Sequence, residues 1–158
     1  MTREGPDSAG PTQLTSGRIT REEIVAFFDR RQEAVDDLDA AALAADYAED
    51  CSVESPFAGT LSGRAEVEKA FRAWFEAFPD LNVRTECLVI DGHRAVLVAM
   101  LEGTDIGGFM GLAPTGKMFR VPVVSICEFK EGKIVQELRI YDFTGVLVQI
   151  GVLKAKPV

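Results

Sequence analysis

The residue best placed for acid–base chemistry is a carboxylate, Asp142, at the end of the run Lys133–Tyr141. By strict alternation it follows Ile134, Leu138 and Ile140 on one strand face, with Val135, Glu137, Arg139 and Tyr141 on the other. A carboxylate at the end of an apolar stripe loses solvation and gains proton affinity, which suits a group that takes and returns a proton. Asp142 also precedes a short apolar run, residues 144–150, where Asp is a good helix cap. Both roles stand open at this point.

Other reactive side chains are sparse. His93 is the sole histidine, and it follows the Asp91-Gly92 turn, where side chains are solvated. Ser125 and Cys127 share an alternation phase with Val121 and Val123, so both are expected to point inward as weak polar contacts. Glu54 is out of phase with Val53 and is expected outside. Phe27, Phe28, Tyr47, Phe71, Trp74 and Phe75 recur at helical spacing, which fits a core and, in a concave fold, an aromatic pocket wall. The stretch 104–117 (TDIGGFMGLAPTGK) lacks the spacing of a nucleotide-binding loop and reads as a hinged lid.

These groups need a scaffold. Thr20 and Glu23 form a capping box that opens a helix with Ile24, Phe27, Phe28 and Val35 on its apolar face. Asp39 caps a second helix over 40–47, and a third spans 64–78 before Pro79. A short strand over 51–55 separates them, followed by a turn over 59–63. Strands are expected over 83–90 and 94–101, joined by Asp91-Gly92, and over 118–129 and 133–141. Helices followed by an antiparallel meander give an α+β fold. Residues 1–18 carry one large apolar side chain, Leu14, and read as a flexible leader before a single domain over 19–158. The strand over 118–129 is apolar on both faces, so a second subunit is expected to cover one of them, giving a homodimer.

Composition narrows the function. The chain has 158 residues and a net charge of −8, without the basic face that nucleic acid requires. No apolar run nears the roughly 20 residues of a membrane span, and no signal-peptide pattern opens the chain. A cytoplasmic location is therefore expected. Cys51, Cys87 and Cys127 are odd in number and widely spaced, which fits buried reduced thiols rather than disulfides or a metal site.

Several words in the chain sharpen this picture. They are Ala77-Phe78-Pro79-Asp80-Leu81, Gly111-Leu112-Ala113-Pro114-Thr115-Gly116-Lys117, Glu131-Gly132-Lys133-Ile134, and Tyr141-Asp142 followed by Gln149-Ile150-Gly151. In this order the chain, over roughly residues 20 to 153, resembles the SnoaL-like polyketide cyclases of the nuclear transport factor 2-like superfamily. The resemblance implies a cone-shaped α+β barrel, a curved and mainly antiparallel sheet packed on three helices around a deep pocket. It implies acid/base chemistry without cofactor or metal, by intramolecular aldol closure or proton abstraction beside a carbonyl, on a hydrophobic carbonyl-bearing small molecule. Asp142 matches the family's acid/base, and Phe28, Tyr47, Ser55, Phe71, Trp74, Ser125 and Cys127 are the expected pocket residues. Related cyclases often carry histidines where this chain has Asp105 and the run Ser125-Ile126-Cys127-Glu128, so Asp142 lacks a histidine partner. Ser55 stands where related ketosteroid isomerases hold their base, which disfavours that reaction. A binding domain without turnover and an epoxide hydrolase using Arg139 with Asp142 are the alternatives.

Overall fold

The computed structural model describes residues 18–155. The leader expected over residues 1–18 lies, Arg18 excepted, outside them. Helix α1 (Arg21–Asp36) opens with the expected box: Thr20 Oγ1 accepts the Glu23 N–H at 3.2 Å, and Glu23 Oε2 accepts the Thr20 N–H at 2.7 Å. Asp39 caps α2 (Ala40–Ala45) by accepting the Ala42 N–H at 2.9 Å. That helix stops short of Tyr47, which instead begins strand β1 (Tyr47–Ser55). Local spacing favoured the helix, but the Tyr47 hydroxyl is held by a residue 90 positions away, and tertiary bonding overrides propensity. The expected turn at 59–63 is strand β2 (Gly59–Ser62), paired back onto β1.

Helix α3 (Arg64–Ala77) ends just before Pro79, as a proline demands. Then come β3 (Asn82–Asp91), β4 (Arg94–Thr104), β5 (Met118–Lys130), β6 (Lys133–Tyr141) and the short helix α4 (Phe143–Gln149). The six strands form one curved sheet in the order β2-β1-β6-β5-β4-β3. Every pair is antiparallel except β1 with β6. The sheet is α+β as expected, and its edges β2 and β3 stay apart, so it does not close into a barrel. Strand β6 lies between β1 and β5, away from both edges. Its residues are therefore the ones a central site can use.

A bulge decides which β6 residues face inward. Phe129 pairs with Ile134 while Glu128 pairs with Gln136, leaving Val135 as an extra residue. An inserted residue flips the phase of everything after it. Ile134 is fully buried, yet Leu138 and Ile140 are 43% and 50% exposed. The stripe expected to bury Asp142 is therefore the outer face, and Glu137, Arg139 and Tyr141 occupy the inner one. Strict alternation failed because the sequence carries no mark of the bulge.

The 104–117 segment is also corrected. Asp105 is 1% exposed and ties the loop to itself. Its carboxylate accepts the Gly108 N–H at 3.1 Å and both the Thr115 N–H and hydroxyl at 3.0 Å. Phe109 is buried against Trp74, Phe78 and Phe57. At Gly107 the loop passes so close to α3 that a Cβ would meet the Glu76 carbonyl oxygen at 1.8 Å. This is a pinned connection rather than a hinged lid. Of the cysteines, Cys51 and Cys127 are buried as expected and Cys87 is exposed on β3. Among the described residues no helix is long and apolar enough to cross a membrane.

The outer sheet face carries a continuous apolar patch. Ile126 pairs with Leu138 and Val124 with Ile140 across β5 and β6, and Val98 lies beside Val124 on β4. With a second copy as its cover, the protein at tens of micromolar should sediment as a dimer, and Ile126→Lys with Leu138→Lys should sediment as a folded monomer. A wild-type protein that sediments only as monomer removes the dimer.

Candidate functional site

Three buried apolar clusters meet inside the concave face of the sheet, and a cavity of about 150 Å³ lies at their junction. Helix α1 supplies Phe28, Arg31 and Val35 to its wall, one helical turn apart, and α3 supplies Phe71, Trp74 and Phe75. Leu101, Val123 and Ser125 come from β4 and β5. Most of the wall is hydrocarbon and ring. A space of roughly this size admits one benzene-sized ring.

The polar part of the wall is built by β6. Glu137, Arg139 and Tyr141 line the cavity in alternation, and Arg31 joins them from α1. Tyr47, behind them, is fully buried. Its hydroxyl donates to Glu137 Oε2 at 2.6 Å and accepts from Arg31 Nη2 at 2.8 Å and Arg139 Nη2 at 3.0 Å. One O–H and two lone pairs are thereby all used. Arg139 Nη2 also donates to Glu137 Oε2 at 3.0 Å, and Ser125 donates a short hydrogen bond to Oε1. Arg31 Nη1 reaches Asp46 Oδ2 at 3.1 Å and the Leu43 carbonyl at 3.2 Å. Both guanidinium groups lie against the Phe71 ring, Arg139 at 4.8 Å and Arg31 at 5.5 Å from its centroid, a favourable contact for a cation.

This environment fixes protonation. Burial alone would raise the Glu137 carboxyl, but Arg139, Arg31 and the Ser125 hydrogen bond outweigh it and hold the group down at about 2. Burial pushes the Tyr47 phenol well above its ordinary range, and the adjacent arginines offset only part of that. Burial likewise raises Tyr141, whose hydroxyl lies 3.4 Å from Ser55 Oγ. The Cys127 thiol, desolvated and next to Glu137, is pushed up to about 12. Glu137 is thus a fully engaged anion and a weak base, and the tyrosines and Cys127 are protonated at neutral pH.

Of the expected pocket residues, Phe28, Phe71, Trp74 and Ser125 line the cavity. Tyr47, Ser55 and Cys127 stand behind the wall and hold Glu137, Tyr141 and Ser125 respectively. Asp142 is exposed and outside the lining; its Oδ1 accepts the Gly145 N–H at 2.7 Å as the cap of α4. Arg139 lines the cavity without it, so the two are not joined around one site. His93 lies at the far turn, 3.6 Å from Glu128. Glu54 is exposed, as expected. Sequence reasoning passed over Arg31, Glu137 and Tyr141 as site residues. The signal was there: three polar residues in one phase of a central strand, and an arginine at helical spacing from Phe28 and Val35.

Comparison with known proteins agrees with this architecture. The model of the SnoaL-like polyketide cyclase family matches residues 23–150. The chain belongs to that family. Among solved structures, this SnoaL-like chain is similar to TsrD from Streptomyces laurentii at 22% identity, with 85% of this chain and 99% of that one covered and a TM-score of 0.75. It is also similar to AclR from Streptomyces galilaeus, a candidate hydroxylase, at 25% identity, with 87% of each chain covered and a TM-score of 0.76. IdmH from Streptomyces antibioticus, a candidate polyketide cyclase, matches at 24% identity over 82% of this chain and 96% of that one, with a TM-score of 0.67. No curated protein matches the chain.

The depressed Glu137 titration carries a stability consequence with a definite sign. The carboxylate is favoured in the folded state, so its contribution is present above its ordinary value of 4.5 and lost as pH falls toward 2. The loss is on the order of 3 kcal/mol. Thermal unfolding of the wild type should therefore fall more steeply between pH 5 and pH 2 than that of Glu137→Gln, which has no charge there to lose. Glu137→Leu, leaving Arg139 without its counter-ion, should cost about 3–5 kcal/mol at neutral pH.

Proposed function

We propose that this SnoaL-like protein takes a hydrophobic, carbonyl-bearing small molecule into the cavity and promotes proton removal from the carbon beside the carbonyl, as in cyclase or isomerase chemistry. The observation that carries this reading is the composition of the wall: rings and hydrocarbon on most sides, with hydrogen-bond donors gathered on β6 at Arg139 and Tyr141. The ring system packs against Phe71 and Trp74, and the carbonyl oxygen accepts from Arg139 or Tyr141. Polarising that oxygen makes the neighbouring C–H more acidic.

Glu137 is unsuited to the base role, because a carboxyl near 2 that already accepts three hydrogen bonds has little proton affinity. Its part is to hold Arg139 in place. The proton acceptor in this reading is Asp142, which lies outside the lining as the cap of α4, so the reaction requires a substrate whose reacting carbon stands beyond the cavity wall. The proton passes from carbon to Asp142, the enolate attacks a second carbonyl of the same molecule, and the resulting alkoxide takes the proton back. No external acid, base or redox partner is consumed. A second reading, binding without turnover, is favoured by one observation: no group lining the cavity has the proton affinity of a neutral-pH base.

Benzoylacetone tests both readings, with Trp74, the single tryptophan, as reporter. Binding in the cavity should quench its fluorescence saturably. If the protein is an enzyme of this class, it should also speed deuterium exchange at the carbon between the two carbonyls, followed by proton NMR. Asp142→Asn should slow that exchange by at least about 100-fold while unfolding like the wild type, since Asn caps about as well as Asp. Asp142→Ala should in addition lose about 1 kcal/mol of stability. Saturable quenching with no accelerated exchange would establish binding without turnover. An Asn variant that exchanges as fast as wild type removes Asp142 from the chemistry.

A further inference from the structure

The arginines on the cavity wall have more donors than the protein uses. A guanidinium carries five N–H bonds. In Arg139 both recorded hydrogen bonds leave from Nη2, to Tyr47 and Glu137. The three N–H bonds on Nε and Nη1 have no acceptor among the described residues. In Arg31, Nη1 is committed to Asp46 and Leu43 and Nη2 to Tyr47, so Nε–H and one Nη2 N–H are unused. Yet no buried side-chain nitrogen or oxygen among the described residues lacks a partner. Arg139 Nε and Nη1 and Arg31 Nε, which have no partner, must therefore retain solvent access, and both side chains, each 13% exposed, line the cavity. That is where their access lies.

Acceptors are the scarce component. The carboxylate of Glu137 already takes Tyr47 and Arg139 on Oε2 and Ser125 on Oε1. The counter-ion of Arg31, Asp46, is not part of the wall. Asp46 nonetheless holds Arg31 at 3.1 Å as Glu137 holds Arg139 at 3.0 Å, so the buried charges balance in pairs and what marks the polar end is the free donors of the two arginines.

We propose that Arg139, seconded by Arg31, forms an anion subsite at the polar end of the cavity, and that the ligand is held as a planar monoanion one ring wide, an enolate, phenolate or carboxylate. This deepens the reading of the cavity as a small-molecule site and rests on it. A neutral ketone meets the same free donors with a weaker acceptor, whereas a monoanion fills them through charge-assisted hydrogen bonds. Any cation is disfavoured, because the free groups on this wall are donors. Polyhydroxylated ligands are disfavoured too, because the wall offers their O–H groups few acceptors.

4-Nitrophenol is a suitable probe, since it is one ring wide, ionises near neutral pH and reports its own ionisation by absorbance. On the wild-type protein the phenolate should bind at least about tenfold more tightly than the phenol, which lowers the apparent pKa of the bound probe by about one unit or more. In the Glu137→Gln/Arg139→Met double variant, which removes both ends of the ion pair together and so strands neither charge, the shift should vanish while iodobenzene, a ring with no oxygen for Arg139 to hold, still quenches Trp74. A bound probe whose pKa is unchanged or raised overturns the anion subsite and leaves the apolar small-molecule site standing. A shift that survives in the double variant also overturns it, since the preference then comes from elsewhere. If neither iodobenzene nor 4-nitrophenol quenches Trp74 in the wild type, the cavity is not a ligand site and both readings fall.

Discussion

Placing four charged side chains inside an apolar fold is costly unless each finds a partner, and the arrangement around Tyr47 meets that condition. Its hydroxyl ties Arg31 of helix α1 to Glu137 and Arg139 of strand β6. Helix and sheet are thereby fixed to one another through a single oxygen. Such a network adds little net stability over a hydrophobic replacement. What it specifies is position: the network sets how α1 lies across the sheet, and with that the cavity opened between them.

The remaining structure supports this junction. The parallel pairing of β1 with β6 carries Tyr47 to the start of the sheet and leaves β6 with neighbours on both sides. The bulge at Val135 turns Glu137, Arg139 and Tyr141 inward. Aromatic rings from α1 and α3 close the cavity around them, and Phe71 lies against both guanidinium groups. At the opposite end the loop anchored by Asp105 and Phe109 packs on the C-terminus of α3 and holds the second core cluster together. Asp105, at a position where relatives often carry histidine, has a structural task here.

Electrostatic function follows from the same geometry. A carboxylate that has been given three donors is a fixed counter-charge, and its low proton affinity is the direct result of those donors. The arginine it anchors is then oriented, with its unused N–H bonds on the cavity side. This member of the SnoaL-like polyketide cyclase family thus presents a cavity wall rich in donors and without a neutral-pH base. The contrast separates recognition of an oxygen, which the wall can perform, from removal of a proton, which needs a group outside it.

The sequence by itself determined the elements whose signals are local. The Thr20–Glu23 box, the Asp39 cap, the Asp91-Gly92 hairpin, the α+β order and the family motifs all depend on residues within a few positions of one another. Inward-facing Ser125 was readable as well, because β5 alternates without interruption up to that point. What needed the tertiary structure was long-range pairing. Tyr47 reads as the end of a helix until Glu137, ninety residues on, claims its hydroxyl. The bulge at Val135 arises where β5 and β6 fit together, and it reversed the face assigned to Asp142 and moved Glu137, Arg139 and Tyr141 to the inside. A period-two pattern records which residues share a face, but only the packed sheet decides which face is buried.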